Sequence, residues 1–165
     1  MTETLVNTFL ELFNGLDKGL IVFLISMMPI LELRGGLIAA SLLGLNPITS
    51  FIICLIGNLI PIPFILWLIT PIFNWLKKTK YLKGFVEKIE NKANSKRDKI
   101  EKSEFWGLLL FVGIPLPGTG AWTGTLIASM LEMNKKKVLL ASILGVLLAG
   151  IIMMIFSFGI LSNII

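Results

Sequence analysis

Histidine is absent from this chain of 165 residues, and cysteine occurs once, as Cys54. Without histidine the chain lacks the side chain most often used as a proton relay, a general base and a metal ligand. A single cysteine excludes an internal disulfide, and its apolar surroundings give no sign of thiol chemistry. The sequence has no nucleophile beside a base and no metal-ligand cluster, and its glycine-rich run lacks the Gly-Lys-Ser/Thr ending of a phosphate-binding loop. We therefore expect no enzyme, no catalytic residue, no metal and no cofactor.

Apolar residues dominate the sequence. They make up 55% of the chain, and the mean hydropathy is +0.88. A soluble domain of this size could not bury so much apolar surface, so the composition predicts an all-α integral membrane protein. The first long apolar run begins near Gly19. An acidic amphipathic stretch precedes it in place of a basic one, so no signal peptide is predicted.

The basic residues are gathered in two places. Ten of the 15 lie between Lys77 and Lys102, and three more form the run Lys135-Lys136-Lys137. Short basic loops stay on the cytoplasmic side, so we expect both segments in the cytoplasm of a prokaryote whose plasma membrane holds the chain. This placement of the net charge of +5 also argues against nucleic acid as a partner.

Four apolar stretches, near 19–45, 48–76, 105–133 and 138–161, could enter the membrane. If all four crossed it, the two basic loops would lie on opposite sides. Both loops stay cytoplasmic if the third stretch enters the membrane and returns. Residues 105–114 would give about 15 Å of helix, half of a hydrocarbon core of about 30 Å, before a run of two prolines and two glycines at 115–120. Four ordinary spans are the alternative.

Part of the first half recurs, rewritten, 88 positions later in the second half. The main matches are Pro29 with Pro117, Gly36 with Gly124, Ser41 with Ser129, Asn46 with Asn134 and Gly57 with Gly145. Apolar segments broken by proline and glycine at matching places in two halves indicate the site of a membrane transporter. By this repeat 19–45 is a second hairpin. It opens from the other face, because an odd number of crossings separates the two copies.

The predicted architecture is an inverted repeat of a re-entrant helical hairpin followed by a transmembrane helix. Residues 1–18 form an extracytoplasmic amphipathic helix that lies on the membrane. Repeat 1 is 19–76, with the hairpin at 19–45 and the transmembrane helix at 48–76. Residues 77–104 form a basic, amphipathic cytoplasmic linker held by anionic lipids. Repeat 2 is 105–165, with the hairpin at 105–133 and the transmembrane helix at 138–161, so both termini are extracytoplasmic.

The hairpin tips carry the predicted binding site. Glu32 and Arg34 are the only charges at membrane depth in the first half, and such charges mark function by default. Arg34 offers a fork suited to phosphate or carboxylate, and backbone N–H groups at the neighbouring helix starts favour anions. Glu32 is the predicted proton carrier. The predicted substrate-binding set is Glu32, Arg34, Gly35, Gly36, Pro117, Gly118, Thr119, Gly120 and Trp122. Alternatively, Glu32 and Arg34 neutralise each other and only lock the hairpin.

Two motifs resemble the paired signatures of the small multidrug export protein family: PILELRGG at 29–36 and GIPLPGTGAWTG at 113–124. The resemblance covers nearly the whole chain from about Gly19. That family is similar in outline to the DedA-type (VTT-domain) membrane proteins. The similarity implies two inverted re-entrant hairpins and proton-linked translocation of lipid phosphates, with Glu32 and Arg34 at the acidic and arginine positions of the first hairpin. The chain departs from the DedA pattern in the second hairpin, where Trp122 stands and no arginine appears.

The leading functional prediction is a proton-linked membrane transporter of an amphipathic anion such as a lipid-linked phosphate, with membrane lipids and protons as partners. One alternative is proton-coupled efflux of small lipophilic drugs, although the charge of Arg34 would repel cationic ones. A second alternative is a non-transporting membrane assembly subunit whose linker docks a cytoplasmic protein. A homodimer would supply the cavity burial that four short membrane elements in one chain lack.

Overall fold

The computed structural model describes residues 15–78, 84, 87–88, 91, 104–131 and 133–160. No β-strand occurs among these residues, and the all-α prediction is confirmed for them. Most of the predicted N-terminal amphipathic helix and of the basic linker lies outside the described residues, so the division of the chain into domains stays a prediction. The helices are α1 (Lys18–Met27), α2 (Glu32–Leu42), α3 (Pro47–Leu59), α4 (Pro61–Lys77), α5 (Glu104–Gly113), α6 (Ala121–Met130) and α7 (Lys135–Met154), which continues as a π-helical segment, Ile155–Ile160.

Two helices are long and apolar enough to cross a membrane. Pro47–Ile69 joins α3 to the first part of α4 over 23 residues with a mean hydropathy of 2.4, and Lys135–Gly159 has 25 residues and a mean hydropathy of 2.8. A rise of 1.5 Å per residue gives both more than the roughly 30 Å of a hydrocarbon core. On α3 the side chains of Ile48, Ile52 and Ile56 recur every fourth position and are 70%, 50% and 50% exposed. Such an apolar outer face is suited to lipid contact.

Aligned asparagines begin the two long helices. The Oδ1 atom of each accepts the backbone N–H groups two and three residues further on, at 3.0 and 3.3 Å for Asn46 and at 3.1 and 3.3 Å for Asn134. This is the N-cap contact that satisfies two of the four unpaired N–H groups at a helix start. The spacing of 88 residues in the sequence therefore corresponds to the same local structure in both halves.

Aligned glycines bring the first helix of each hairpin against a long helix. A Cβ atom at Gly57 would lie 2.8 Å from the carbonyl oxygen of Phe23, and one at Gly145 would lie 2.9 Å from the carbonyl oxygen of Leu109. Both distances are too short for a side chain. Helix α1 therefore packs on α3 through Gly57, as α5 packs on α7 through Gly145.

We call α1, α2 and the turn at 28–31 hairpin 1, and α5, α6 and the turn at 114–120 hairpin 2. At the start of α1, Gly19 lies against Ile53, whereas the Gly57 contact lies further along both helices, so α1 and α3 run in the same direction. Helix α2 runs back in the opposite direction and packs against both. At the open end of hairpin 1, the Nζ atom of Lys18 donates to the carbonyl oxygen of Leu43 at 3.0 Å and ties the start of α1 to the end of α2.

Helix α7 connects the open ends of the two hairpins. It begins a few residues after α6 ends, beside the open end of hairpin 2. In its π-helical continuation the carbonyl oxygen of Ser157 accepts a hydrogen bond of 2.7 Å from the hydroxyl of Ser41, near the end of α2. About 22 residues separate Lys135 from Ser157, which corresponds to about 33 Å of helix. The two open ends therefore lie at opposite ends of α7.

The core lies where the two hairpins meet the long helices. Helix α7 contacts α2, α3, α5 and α6. Side chains from three elements are almost fully buried there in one cluster: Leu33 and Leu37 on α2, Leu108 and Val112 on α5, and Val146 on α7. The two halves thus share one core. The helices that form it, α2, α5 and α7, position the turns of the hairpins against each other.

Candidate functional site

The turns of the two hairpins face each other and border an open cavity of about 330 Å³. Most of its wall is apolar. The residues lining it are Ile30, Leu31, Glu32, Arg34, Gly35, Pro115, Leu116, Pro117, Gly118, Thr119 and Met153. Six of the nine predicted site residues are among them, and the two halves of the repeat therefore contribute to one place.

Glu32 caps the second helix of the opposite hairpin. Its Oε2 atom accepts the backbone N–H of Ala121 at 3.2 Å, and its Oε1 atom accepts that of Trp122 at 3.0 Å. These are the first N–H groups of α6, which have no partner within the helix, and the helix dipole makes this end positive. Glu32 is only 4% exposed. Its carboxylate thus satisfies two buried donors that hairpin 2 leaves open.

Arg34 binds the other side of the same turn. Its Nη1 atom donates to the carbonyl oxygens of Leu116 at 2.9 Å and Thr119 at 3.3 Å. Its Nη2 atom donates to the carbonyl oxygens of Val112 at 3.1 Å and Ile114 at 3.3 Å. The last carbonyls of a helix lack partners within it and form the negative end of its dipole, so a cation is stabilised there. The guanidinium is therefore engaged by the backbone at and after the end of α5.

The hydroxyl of Thr119 completes this network. Its oxygen lies 3.0 Å from the carbonyl oxygen of Ile114 and 2.8 Å from that of Leu116, to which its proton is donated. It also accepts a hydrogen bond of 3.2 Å from Nη2 of Arg34. Because a hydroxyl can donate and accept at once, Thr119 joins the arginine to the turn from within hairpin 2.

The backbone is unusual on both sides of the contact. Among the described residues Glu32 is the one non-glycine with a positive φ, of 52°. Such a conformation costs a non-glycine residue about 1–3 kcal/mol and is concentrated at functional sites. Gly118 and Gly120 have φ values of 77° and 137°. A Cβ atom at Gly120 would collide with the carboxylate of Glu32. Glycine at 120 is thus needed for the cap as well as for the turn.

Three predicted site residues do not line the cavity. Gly36 packs in the core, where a Cβ atom would collide with Oγ of Ser26 and lie 2.9 Å from Sγ of Cys54. Gly120 gives Glu32 its space, and Trp122 contributes its backbone N–H to the same carboxylate. The indole Nε1 of Trp122 is buried without a hydrogen-bond partner in the described part of the chain.

The sequence-level alternative, that Glu32 and Arg34 pair with each other, differs from the contacts observed. The hydrogen bonds that the structure gives to both side chains run to hairpin 2. Other cavity residues were missed by the sequence reasoning. Ile30, Leu31, Pro115 and Leu116 lie within the two motifs and could have been found from that position, whereas no signal in the sequence places Met153 at the tips.

Metal ligands are not gathered anywhere within the described ranges: no group of three or more Cys, Asp or Glu side chains that could hold an ion occurs there. The chemistry that the tips offer is instead one carboxylate, one guanidinium and several backbone groups beside an apolar cavity. This set can bind and exchange a proton, and it can hold a small molecule that is mostly apolar.

The fold and the comparisons together define a membrane protein with two apolar helices of spanning length. A family model described as "Putative small multi-drug export protein" matches residues 32–152, from Glu32 at the first tip to the last turn of α7. The chain belongs to this family, as its two motifs predicted. Comparison with curated proteins and with solved structures finds no match. The more distant similarity to DedA-type proteins stays a prediction.

Proposed function

We propose that this protein is a secondary transporter that exports small lipophilic compounds through the cavity between the hairpin tips. The observation that carries the proposal is the cavity itself, about 330 Å³ in size and mostly apolar, in a member of the small multidrug export family. Sites for small molecules have volumes of about 300–1,000 Å³ and combine apolar walls with a few polar groups. Of the functions weighed from the sequence, drug efflux fits these walls best.

Both hairpins are proposed to be re-entrant, which makes the chain an inverted repeat. Helices α1 and α5 have 10 residues each and reach only about half of a hydrocarbon core of roughly 30 Å. The open ends of the hairpins lie at opposite ends of α7, so the two hairpins would enter from opposite faces. Backbone groups freed at the tips are bound by protein, as non-helical backbone at membrane depth requires.

The basic linker and the start of α7 are proposed to face the cytoplasm. Hairpin 2 begins directly after the linker, and its open end lies beside Lys135. The side chains of Trp75 and Trp106 flank the linker in the sequence and are 67% and 62% exposed. Tryptophan is enriched at membrane–water interfaces, and short basic loops are enriched on the cytoplasmic side. The tryptophans thus support an interface at both ends of the linker, and the basic residues support its cytoplasmic side.

Glu32 is proposed to couple export to protons. It is the one acidic side chain among the residues that line the cavity. Its carboxylate is bound to α6 in the structure, so protonation and binding to the backbone compete for the same oxygen atoms. A proton taken up from one side and released to the other would thereby change the contact between the two hairpins.

The transport of an amphipathic anion is the second candidate, and one observation favours it. The N–H groups of Ala121 and Trp122 already bind a carboxylate, which belongs to Glu32. An anionic head group, such as that of a lipid-linked phosphate, could take the same donors once Glu32 is protonated. Arg34 adds less to this candidate, because its donors are engaged by backbone carbonyls and by Thr119.

Transport into and out of proteoliposomes tests both candidates. Purified protein would be given a pH gradient and three probes: a fluorescent lipophilic cation, a neutral lipophilic dye and a fluorescent lipid phosphate. We expect flux of one of the lipophilic dyes, reduced at least about tenfold in Glu32→Gln, the scale of one charge-assisted contact. Glu87→Gln, the same change at an exposed residue outside the cavity, should retain full flux.

Each outcome of this assay selects one function. Flux of the lipid phosphate alone would replace drug export by the anion candidate. Flux of a dye that is equal in wild type and Glu32→Gln would remove Glu32 from the mechanism. No flux of any probe, together with a stable cytoplasmic partner in pull-downs, would favour an assembly subunit.

A further inference from the structure

Hairpin 1 supplies side chains to the two helix ends that meet at the turn of hairpin 2, the end of α5 and the start of α6. Glu32 binds the N-terminal end of α6, and Arg34, two residues further on, binds the carbonyl groups at and after the C-terminal end of α5. Each charge is opposite in sign to the helix end that it contacts, a carboxylate at the positive end and a guanidinium at the negative end. The pair thus fits hairpin 2 electrostatically as well as by hydrogen bonding.

Hairpin 2 does not return this contact. Its charged residue is Glu104, at the open end, and residues 105–131 contain none, so the turn of hairpin 2 has no charge to offer to hairpin 1. The turn of hairpin 1 is closed by its own backbone. The N–H of Met28 donates to the carbonyl oxygen of Ile25 at 3.1 Å, and the N–H of Glu32 donates to that of Met28 at 3.0 Å. The turn of hairpin 2 likewise contains a backbone hydrogen bond of its own, from the N–H of Thr119 to the carbonyl oxygen of Leu116 at 3.2 Å. The asymmetry therefore lies in the charges, which all come from hairpin 1.

We propose that Glu32 and Arg34 form a latch through which hairpin 1 holds hairpin 2 closed, and that protonation of Glu32 releases the N-terminal end of α6. The role of the latch in transport rests on the proposed function, whereas the contacts that form the latch do not. Glu32, Arg34 and Thr119 are then positioning residues, which act through the shape of hairpin 2. Opening of this hairpin would change the shape of the cavity that a substrate enters.

The effect of pH has a definite sign, since few charges face the latch. Arg34 is the charged group beside Glu32 on α2. On the packed elements, hairpin 2 has Glu104 at its open end, α3 has Cys54, α4 has Lys77 at its last position, α1 has Lys18 at its open end, and α7 has its lysines at its far end. As pH falls, Glu32 becomes neutral and its attraction to the positive end of α6 is lost. One oxygen also becomes a donor where two N–H groups need an acceptor. The latch therefore opens at low pH.

Thiol labelling of a residue inside the contact tests the latch without any transport. Ala121 is 1% exposed and donates to Glu32, so Ala121→Cys in a Cys54→Ala background reports whether this end of α6 is free. The rate of maleimide labelling in proteoliposomes is divided by the rate for the same protein unfolded in detergent at the same pH. This ratio removes the effect of pH on the thiol itself.

We expect the ratio to be low at neutral pH and to rise at least about tenfold as pH falls, the scale of one charge-assisted hydrogen bond. In Glu32→Gln the ratio should be high and independent of pH, whereas Glu87→Gln should behave as the parent. The titration of the parent needs no change at Glu32, so it stands even if Glu32→Gln does not fold. A ratio that is constant with pH in the parent, high or low, overturns the proposal.

The arginine half of the latch has a matched pair of variants. Thr119→Val removes the hydroxyl that accepts from Arg34, and Thr119→Ser keeps it. We expect faster labelling of the cysteine at 121 in the valine variant only. Equal labelling in both variants would contradict a positioning role for Thr119. Size-exclusion chromatography shows whether the valine variant is still folded. A valine variant that labels faster only because it is no longer monodisperse also counts against the latch.

The latch and the proposed function can fail separately. Labelling that depends on pH and on Glu32 in protein that moves no probe would keep the latch and remove the export function. Flux with constant labelling would keep the transporter and remove the latch. The two experiments use the same proteoliposomes, so the comparison is direct.

Discussion

Glu32 on hairpin 1 and Gly120 on hairpin 2 are in direct contact, and the carboxylate occupies the space that any side chain at 120 would need. The contact joins residues 88 positions apart, one from each half of the repeat. Because Gly120 also has a φ of 137°, both the backbone and the neighbour demand glycine there. The cap on α6 and the turn of hairpin 2 are therefore one structural unit.

Gly120→Ala should destabilise the protein more than Gly118→Ala. Both glycines have a positive φ, but a Cβ atom at Gly118 would meet nothing within 4 Å. We expect the backbone strain to lower the free energy of unfolding by about 1–3 kcal/mol in both variants. The variant at 120 should lose more, because its new side chain displaces Glu32. Thermal unfolding in detergent measures the difference. Equal midpoints for the two variants would show that the Glu32 contact contributes nothing to stability.

Arg34→Lys should lower stability, and Arg34→Gln should lower it further. The planar guanidinium donates to four carbonyl oxygens and to Thr119, whereas an ammonium has only three donors without the fork geometry. The hydrogen bonds to Val112 and Thr119 are partly buried, and a typical hydrogen bond contributes about 0.5–1.5 kcal/mol. Chemical unfolding in detergent gives the order of the three proteins. A lysine variant as stable as the parent would mean that charge alone, and not the fork, is needed at this position.

Gly57→Ala and Gly145→Ala should be similarly destabilising, because these aligned glycines make the same contact in the two halves. Overpacking of a close helix contact costs about 1–3 kcal/mol. Gly84→Ala is the control, since a Cβ atom there meets nothing within 4 Å and alanine favours a helix. Unfolding of the three variants in one detergent checks this. A loss confined to one half would argue that the repeat is not structurally equivalent.

Trp122→Phe should leave the protein as stable as the parent or more stable. The indole N–H is buried without a partner among the described residues, and an unsatisfied donor costs about 1–3 kcal/mol. Phenylalanine removes this donor and keeps the backbone N–H that binds Glu32. Intrinsic fluorescence is unsuitable here, so circular dichroism should follow the unfolding. A marked loss of stability would instead reveal a partner or a packing role for the indole ring.

Labelling in intact cells should place the starts of the two long helices on opposite sides of the membrane. We expect a cysteine at Lys136 to be protected from an impermeant reagent until the membrane is opened, and one at Asn46 to react from outside. Both variants would carry Cys54→Ala, and both positions are exposed polar residues. Reaction of position 136 from outside would contradict the inverted arrangement, because the basic turn would then lie on the wrong side.

Much of the candidate site could be predicted from the sequence, because charges and proline–glycine turns are rare within apolar runs. Glu32 and Arg34 were found in this way, as was the turn at 115–120. Their partners could not be predicted. The partners are backbone groups, which every residue has, and the hydrogen bond from Ala121 to Glu32 joins residues 89 positions apart. Met153 comes from a helix with no break or charge nearby, and only packing places it at the tips.

The long helices also combine contacts that the sequence predicts with contacts that it does not. Asn46 and Asn134 could be matched by their spacing, and their short-range caps follow from the local sequence. The contact between Ser41 and Ser157 spans the chain, and nothing in the sequence indicates it. Short-range contacts depend on neighbours that can be read directly, whereas long-range ones depend on the arrangement of all the helices.

The supply of both charges by hairpin 1 has a consequence for biosynthesis. The N-terminal half leaves the ribosome first, and its turn closes with its own amide groups. When the later half enters the bilayer, the acid and the arginine that it lacks are already in place. A circular permutant that begins with the second half would reverse this order, so the backbone partners would be in place before the two charges that bind them.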